Sequence, residues 1–271
     1  MWESESERAS EIVYPGRTMR HSDDTPPSSL RGRLCEVFFP ALLDEQLSAA
    51  AGGAGETQKS PLLTRLGDKA QLDEPMFGAS SGLAELRVHL AKLRAALTEL
   101  DATYTMDRTV RGADRDVTEG SIEVRMDSGR VAIPAAVAMS RGRNREVSLR
   151  LYFSPPRVGG SPQARKGPAA PPAGELPAAQ DIRTLLTSEA FGGETQLGQL
   201  FEQGAIMRDE SGKEHPRAAL LARLAKSPLD ARGFADDLRS CALEIAATGG
   251  GELVVLTRGE SGLFREARWY A

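Results

Sequence analysis

Two acidic residues in this 271-residue chain stand where a carboxylate could move protons, Glu74 and Asp209. Glu74 lies in Asp73-Glu74-Pro75-Met76-Phe77-Gly78, and Asp209 in Met207-Arg208-Asp209-Glu210-Ser211-Gly212, each in an acidic cluster that follows a short apolar stretch. A carboxylate at the opening of an apolar interior loses hydration. Its pKa then rises, and it can act as a general base near neutral pH. The same pattern also makes a turn, because an acid before Pro or Gly can face solvent and lead into the next element. His215, in Lys213-Glu214-His215-Pro216, is close enough in sequence to couple with Asp209; capping a helix or facing solvent is its alternative.

Arg150 and Tyr152 recur as Arg268 and Tyr270, each pair two residues apart near the end of an apolar run. That spacing puts each pair on one face of a strand. On a concave face the tyrosine would offer a hydroxyl to a cavity and the arginine would anchor an anionic group. Otherwise the ring closes the core and the arginine stem covers its edge. The three histidines, His21, His89 and His215, have no spacing that places two on one helix face or joins them to a matched carboxylate, so no metal site is expected. His89, between Val88 and Leu90, reads as an exposed or boundary residue. The chain contains no glycine-rich phosphate loop, Gly-x-Ser-x-Gly elbow or Cys-His nucleophile, and no cofactor is expected.

Composition narrows the setting. Lys plus Arg number 34 against 38 Asp plus Glu, for a net charge of -4, which gives no concentrated basic face for nucleic acid. No run approaches the roughly 18 to 20 apolar residues of a membrane-spanning helix. The opening MWESESERASEIVYPGR is acidic where an export leader would be basic and then apolar. Two cysteines, Cys35 and Cys241, sit in apolar stretches, as buried thiols would in a reducing compartment. The expected setting is the cytoplasm, with no nucleic-acid or membrane partner.

The elements that must position these residues fall into two blocks. Residues 1–29 are rich in Ser, Glu, Asp and Pro and read as a disordered tail, and residues 154–179 are dense in Pro, Gly and Ala and read as a linker. That leaves residues 30–153 and 180–271 as candidate domains. In the first, a helix over 30–50, a short helix at 61–67 and a helix over 80–100 surround a brief strand at 69–73. Four strands follow near 102–110, 116–126, 129–140 and 145–154. The second repeats this with helices near 180–189, 196–203 and 214–226 and strands near 230–237, 240–247, 251–258 and 262–270. Helices grouped on one side of an antiparallel sheet make an α+β domain.

The two blocks also match each other, in order, at four places. LLTRLGDKAQLDEPMFG (62–78) parallels LGQLFEQGAIMRDESG (197–212), and LRVHLAKL (86–93) parallels LLARLAKS (220–227). PAAVAMSRG (134–142) parallels GELVVLTRG (251–259), and SLRLYFS (148–154) parallels EARWYA (266–271). The spacing between matched positions shrinks along the chain, so this is a tandem duplication whose second copy is shorter in its middle.

The succession of short helix, apolar strand with an acidic end, Gly, Leu/Ala helix and a final Gly-Leu-Phe-Arg-Glu-Ala-Arg-Trp-Tyr resembles the SnoaL-like branch of the nuclear transport factor 2-like superfamily. The evidence is LFEQGAIMRDESGKEHPRAALLARL (200–224) with CALEIAATGGGELVVLTRGESGLFREARWYA (241–271), matched in the first copy by AQLDEPMFG, GRVAIPAAVAMSRG and VSLRLYFS. The resemblance implies two cystatin-like cones in tandem, each with helices wrapped around a strongly bent sheet and a cavity opening at one end. Ketosteroid isomerase relatives carry their general base in a stretch like that of Glu74. Their oxyanion site, a first-helix tyrosine and a strand acid, has no counterpart here, because Phe38 and Phe39 fall at the first position and Val137 and Val254 at the second. By the same resemblance Tyr104, with Asp101 and Asp107, falls near the strand edge that faces the cavity. Relatives commonly pair through the outer sheet face, so one chain would form its own pseudo-dimer.

The expected function is therefore binding of a small apolar or aromatic molecule in a cone, without catalysis. The catalytic candidates are Glu74, Asp209 and His215, in a cyclase, isomerase or hydrolase. The ligand-binding candidates are Tyr104, Arg150, Tyr152, Arg268 and Tyr270. A structural or protein-interaction role is the third possibility, and it predicts cones filled by their own side chains.

Overall fold

The computed structural model describes residues 34–44, 61–142, 146–154, 168–169, 194–226, 230–247 and 250–271. The expected tail at 1–29 lies outside the described residues, as do the helix near 180–189 and all of the linker except residues 154, 168 and 169. The first part of the chain runs α1 (Leu34–Asp44), α2 (Pro61–Leu66), β1 (Gln71–Glu74), β2 (Gly78–Ser81), α3 (Leu83–Glu99), β3 (Thr103–Arg111), β4 (Arg115–Met126), β5 (Gly129–Arg141) and β6 (Val147–Phe153). The second runs α4 (Glu194–Leu200), β7 (Phe201–Arg208), β8 (Glu214–Pro216), α5 (Arg217–Lys226), β9 (Asp230–Asp236), β10 (Ser240–Ala247), β11 (Gly250–Arg258) and β12 (Phe264–Tyr270).

Each part forms one six-stranded sheet, ordered β2-β1-β6-β5-β4-β3 and β8-β7-β12-β11-β10-β9. The orders are the same, as a duplicated α+β unit requires. Both sheets are antiparallel except at one pairing, where β1 runs parallel to β6 and β7 parallel to β12. Two features differ from the sequence reading. The stretches after Glu74 and Asp209 form hairpins, with β2 and β8 as edge strands, and residues 201–203 belong to a strand rather than a helix. Bulges in the β3–β4 and β9–β10 pairings bend the strands locally.

Side-chain periodicity decides which faces are covered. In α3, Leu86, His89, Leu90, Leu93 and Leu97 are buried, the three-and-four spacing of one helical stripe. The helix ends at Leu100, and Asp101 follows in a left-handed conformation (φ 49°) that Asp tolerates better than bulkier residues. In the strands, burial does not alternate. Asp116–Gly120, Ala135–Met139 and Leu149–Phe153 are continuously buried, as are Ser240–Ile245 and Leu253–Thr257. Strands buried on both faces carry continuous apolar runs. One face meets the helices, and the other meets the second sheet.

The surface between the sheets is built from Val110, Val117, Ala136, Ala138 and Tyr152 of the first copy with Ala235, Ala242, Leu253, Val255 and Tyr270 of the second. The four alanines let the sheets come close. Gly112 and Gly233 serve the same end. A Cβ on Gly112 would lie 3.0 Å from Ala235 Cα, and one on Gly233 would collide with the Arg115 guanidinium. Residues 168–169 touch both copies: the Pro168 carbonyl accepts from Gly251 N–H at 2.6 Å, and Ala169 N–H donates to Asp73 at 2.8 Å.

Candidate functional site

Glu74 ends β1, and its carboxylate is fully buried. Oε2 accepts the Met76 N–H at 2.7 Å and Oε1 the Phe77 N–H at 2.6 Å, which fixes the turn that Gly78 (φ 85°) completes. His89 Nε2 on α3 lies 2.9 Å from Oε1, and the Phe77 ring stands edge-on to the imidazole. His89 is buried, at 7% exposure, so its expectation as an exposed or boundary residue is corrected. The reason is the acid fifteen positions earlier, which gives a core imidazole its partner. A carboxylate with three partners and no exposed surface is built to hold a turn. Substrate cannot reach it as the fold stands.

Asp209 follows β7 at the matching place. Oδ1 accepts from the Ser211 N–H at 3.0 Å, the Ser211 hydroxyl at 2.6 Å and the Lys213 N–H at 3.0 Å, and Oδ2 lies 2.7 Å from His215 Nε2. The structure thus brings Asp209 and His215 together. Partial burial would raise the carboxyl pKa, but the bonds from Ser211, His215 and the backbone outweigh it and hold the pKa down at about 2. The upward shift a general base needs is therefore reversed at Asp209, because four donors stabilise its charge.

The Arg/Tyr pairs share one strand face, as their spacing requires, but that face meets the other copy. This corrects their placement on a concave cavity wall. Leu149, Leu151 and Phe153 take the helix side of β6, which leaves Arg150 and Tyr152 to the interface. Tyr152 donates its hydroxyl to Glu244 at 2.7 Å. Arg150 donates through Nε and Nη2 to the two oxygens of the same carboxylate, at 2.5 and 2.9 Å, and Arg115 reaches it as well. In the opposite sense, Tyr270 donates to Glu119 at 2.5 Å, and Arg108 bonds both Glu119 and Thr257. Burial pushes the Tyr152 hydroxyl up to about 12. Tyr270 is pushed further up, by burial and then by the Glu119 charge. Burial and the neighbouring Arg150 charge lower Arg115 to about 10. Glu119, Glu244, Arg108 and Arg115 escaped the sequence reading, although an acid inside the apolar run CALEIAA was a visible signal.

Tyr104 lies on the helix side of the first sheet, its ring 4.8 Å from that of Phe39 and its hydroxyl buried without a hydrogen-bond partner among the described residues. Leu34, Cys35, Phe38, Phe39 and Leu42 of α1 insert into this interior at 2% exposure or less. The Cys35 thiol donates to the Val137 carbonyl at 3.0 Å, and burial pushes its pKa up to about 12. Among the described residues, α1 packs its apolar side chains against the helix side of the first sheet.

Two concavities are lined by described residues. A cleft of about 280 Å³ between the copies brings Asp209, Arg268 and Tyr270 together with Asp107 and Arg208. Its charges are mutually satisfied: Arg208 bonds Glu214 and Glu266, and Arg268 bonds Glu266 at 2.8 Å and Asp107 at 3.3 Å. A larger groove, about 570 Å³, lies on the helix side of the second sheet, between α4, the start of β7, α5 and the β11–β12 turn. Phe201, Leu221 and Leu263 supply its apolar surface, and Gln199, Glu202, Gln203 and Arg217 its polar rim. Its size falls within the roughly 300–1,000 Å³ of small-molecule sites. Among the described residues no His, Cys, Asp and Glu cluster is placed to hold a metal ion. No helix of the described residues is long and apolar enough to cross a membrane.

These features define a tandem α+β protein with a cleft between its copies and a groove on the second. No protein-family model matches the chain, and a search of curated proteins finds no match. Solved structures similar to it are described as cystatin-like, NTF2-like and ketosteroid isomerase-like. A cystatin-like protein of unknown function from Methylobium petroleophilum PM1 is 15% identical, with 49% of this chain and 82% of that one covered and a TM-score of 0.32. An NTF2-like protein from Anabaena variabilis is 20% identical, with 52% and 97% covered and a TM-score of 0.35. SalBIII, an epoxide hydrolase/cyclase-like enzyme in pyran ring formation in the polyether salinomycin, is 13% identical, with 46% and 90% covered and a TM-score of 0.32.

Proposed function

We propose that this chain binds a small apolar or aromatic molecule in the groove of its second copy and does not turn it over, while the first copy serves as a closed structural partner. The groove of about 570 Å³, floored by Phe201, Leu221 and Leu263, carries this reading. Burying a flat apolar ligand there would remove surface worth roughly 25 cal/mol per Å² from water. Against catalysis stand the sealed Glu74 and the low pKa of Asp209. Pairing of the two copies through their outer sheet faces would do within one chain what homodimerisation does for two, with residues 30–153 and 180–271 as the paired units.

Fluorescence titration with the neutral probe N-phenyl-1-naphthylamine tests the reading. Saturable enhancement is expected with the native protein. Leu263→Glu, at a half-exposed rim position, should abolish it, whereas Phe77→Glu, exposed on the first copy, should leave it unchanged. No enhancement with the native protein, or equal binding by Leu263→Glu, would overturn the assignment.

A further inference from the structure

Arg217 differs from four arginines of the second copy that are ion-paired. Arg208, Arg223, Arg258 and Arg268 each face a carboxylate within 3.1 Å. Arg217 opens α5 and projects into the groove. Its one partner among the described residues is the Gly198 carbonyl, which accepts from Nη2 at 2.5 Å. That carbonyl belongs to the last turn of α4, where helix carbonyls lack intrahelical donors. The contact fixes the guanidinium without neutralising it. Its Nε is buried and has no hydrogen-bond partner among the described residues. Glu202, the acid on the same rim, turns to the β11–β12 turn, where the Ser261 hydroxyl donates to it at 2.5 Å.

A half-buried cation with an unused donor, beside apolar walls, favours an anion over a neutral ligand, because bonds from guanidinium to carboxylate are stronger than neutral ones and often bidentate. We infer that the groove selects small aromatic or apolar carboxylic acids, with Arg217 binding the carboxylate and Phe201, Leu221 and Leu263 the apolar body. The inference rests on the groove being a binding site and adds the charge of its ligand. Nη1, Nη2 and Nε fan out from one plane. Nε is sealed from solvent, so a ligand carboxylate would meet the outward Nη hydrogens while Gly198 keeps its bond.

The test compares 1-naphthoate with its neutral analogue 1-naphthalenemethanol by isothermal titration calorimetry on the full chain. The native protein is expected to bind the acid about tenfold more tightly than the alcohol. Arg217→Gln should erase that preference, and its thermal melt checks that the variant folds. Arg217→Lys should keep part of it. Raising the salt from low to high concentration should weaken the acid more than the alcohol. Equal native affinities, or a preference that survives Arg217→Gln, would overturn the inference and leave the apolar groove standing. Failure of the acid, the alcohol and N-phenyl-1-naphthylamine alike would overturn both.

Discussion

Tyr152 donates its hydroxyl to Glu244 across the contact between the copies, at 2.7 Å, and Tyr270 donates to Glu119 in the reverse direction, at 2.5 Å. The register makes the two bonds equivalent. Tyr152 pairs with Ala136, which pairs with Glu119, and Tyr270 pairs with Leu253, which pairs with Glu244. Each final strand therefore satisfies a carboxylate buried in the opposite copy. Hydrogen bonds to charged groups contribute about 1.5–3 kcal/mol. Tyr152→Phe and Tyr270→Phe should each lower the unfolding free energy by about that much in urea titrations. A double-mutant cycle of Tyr152→Phe with Glu244→Gln should give a coupling energy well above zero.

Glu244→Ala should cost more, about 3–5 kcal/mol, because it leaves Arg150 and Arg115 buried without their counter-charge. Replacing the whole cluster by apolar residues of similar volume should be far milder. Denaturant midpoints of the two variants check this directly.

Gly233→Ala and Gly112→Ala should each destabilise by about 1–3 kcal/mol, since the added methyl group meets Arg115 in one case and the Ala235 backbone in the other. The corresponding change at Gly204, where an added Cβ meets nothing within 4 Å, should show no steric cost of this kind. Thermal melts of the three variants distinguish packing from helix or strand propensity.

The Arg-x-Tyr repeats, the strand spacing and the α3 stripe were all legible in the sequence, because local periodicity encodes them. What was not legible depends on distance along the chain. Glu74 meets His89 fifteen residues away, and Arg150 meets Glu244 ninety-four residues away. Nor does the Arg/Tyr spacing say which face is concave, since alternation fixes a pair to one side without naming it. The packing of α1 against the first sheet and the contact of Arg217 with Gly198 emerge only once the helices are packed.

Asp209 gives a pH signature. Its folded pKa, about 2, lies below its ordinary value of 3.8, so its contribution to stability is present above pH 4 and is lost as the pH falls toward 2. Asp209→Asn should be less stable than the native protein near neutrality, and the gap should close over that acid window. Unfolding free energies measured from pH 2 to pH 7 read it out. A gap that stayed constant would mean the charge of Asp209 plays no part.

Phe39→Ala should destabilise by about 3–5 kcal/mol and open a cavity beside the unpartnered Tyr104 hydroxyl. Indole should then raise the melting temperature of Phe39→Ala more than that of the native protein, in which the buried Phe39 ring takes up that space.

The most direct test of ligand binding in the second copy is nuclear magnetic resonance mapping of 1-naphthoate on the labelled full chain. Shift changes should cluster at the amides of Gly198, Gln199 and Gln203, the methyl groups of Leu221 and Leu263, and the side chain of Arg217. Changes centred on Leu42, Phe39 and Tyr104, or on Asp107 and Arg268, would contradict the account, as would a spectrum that does not move.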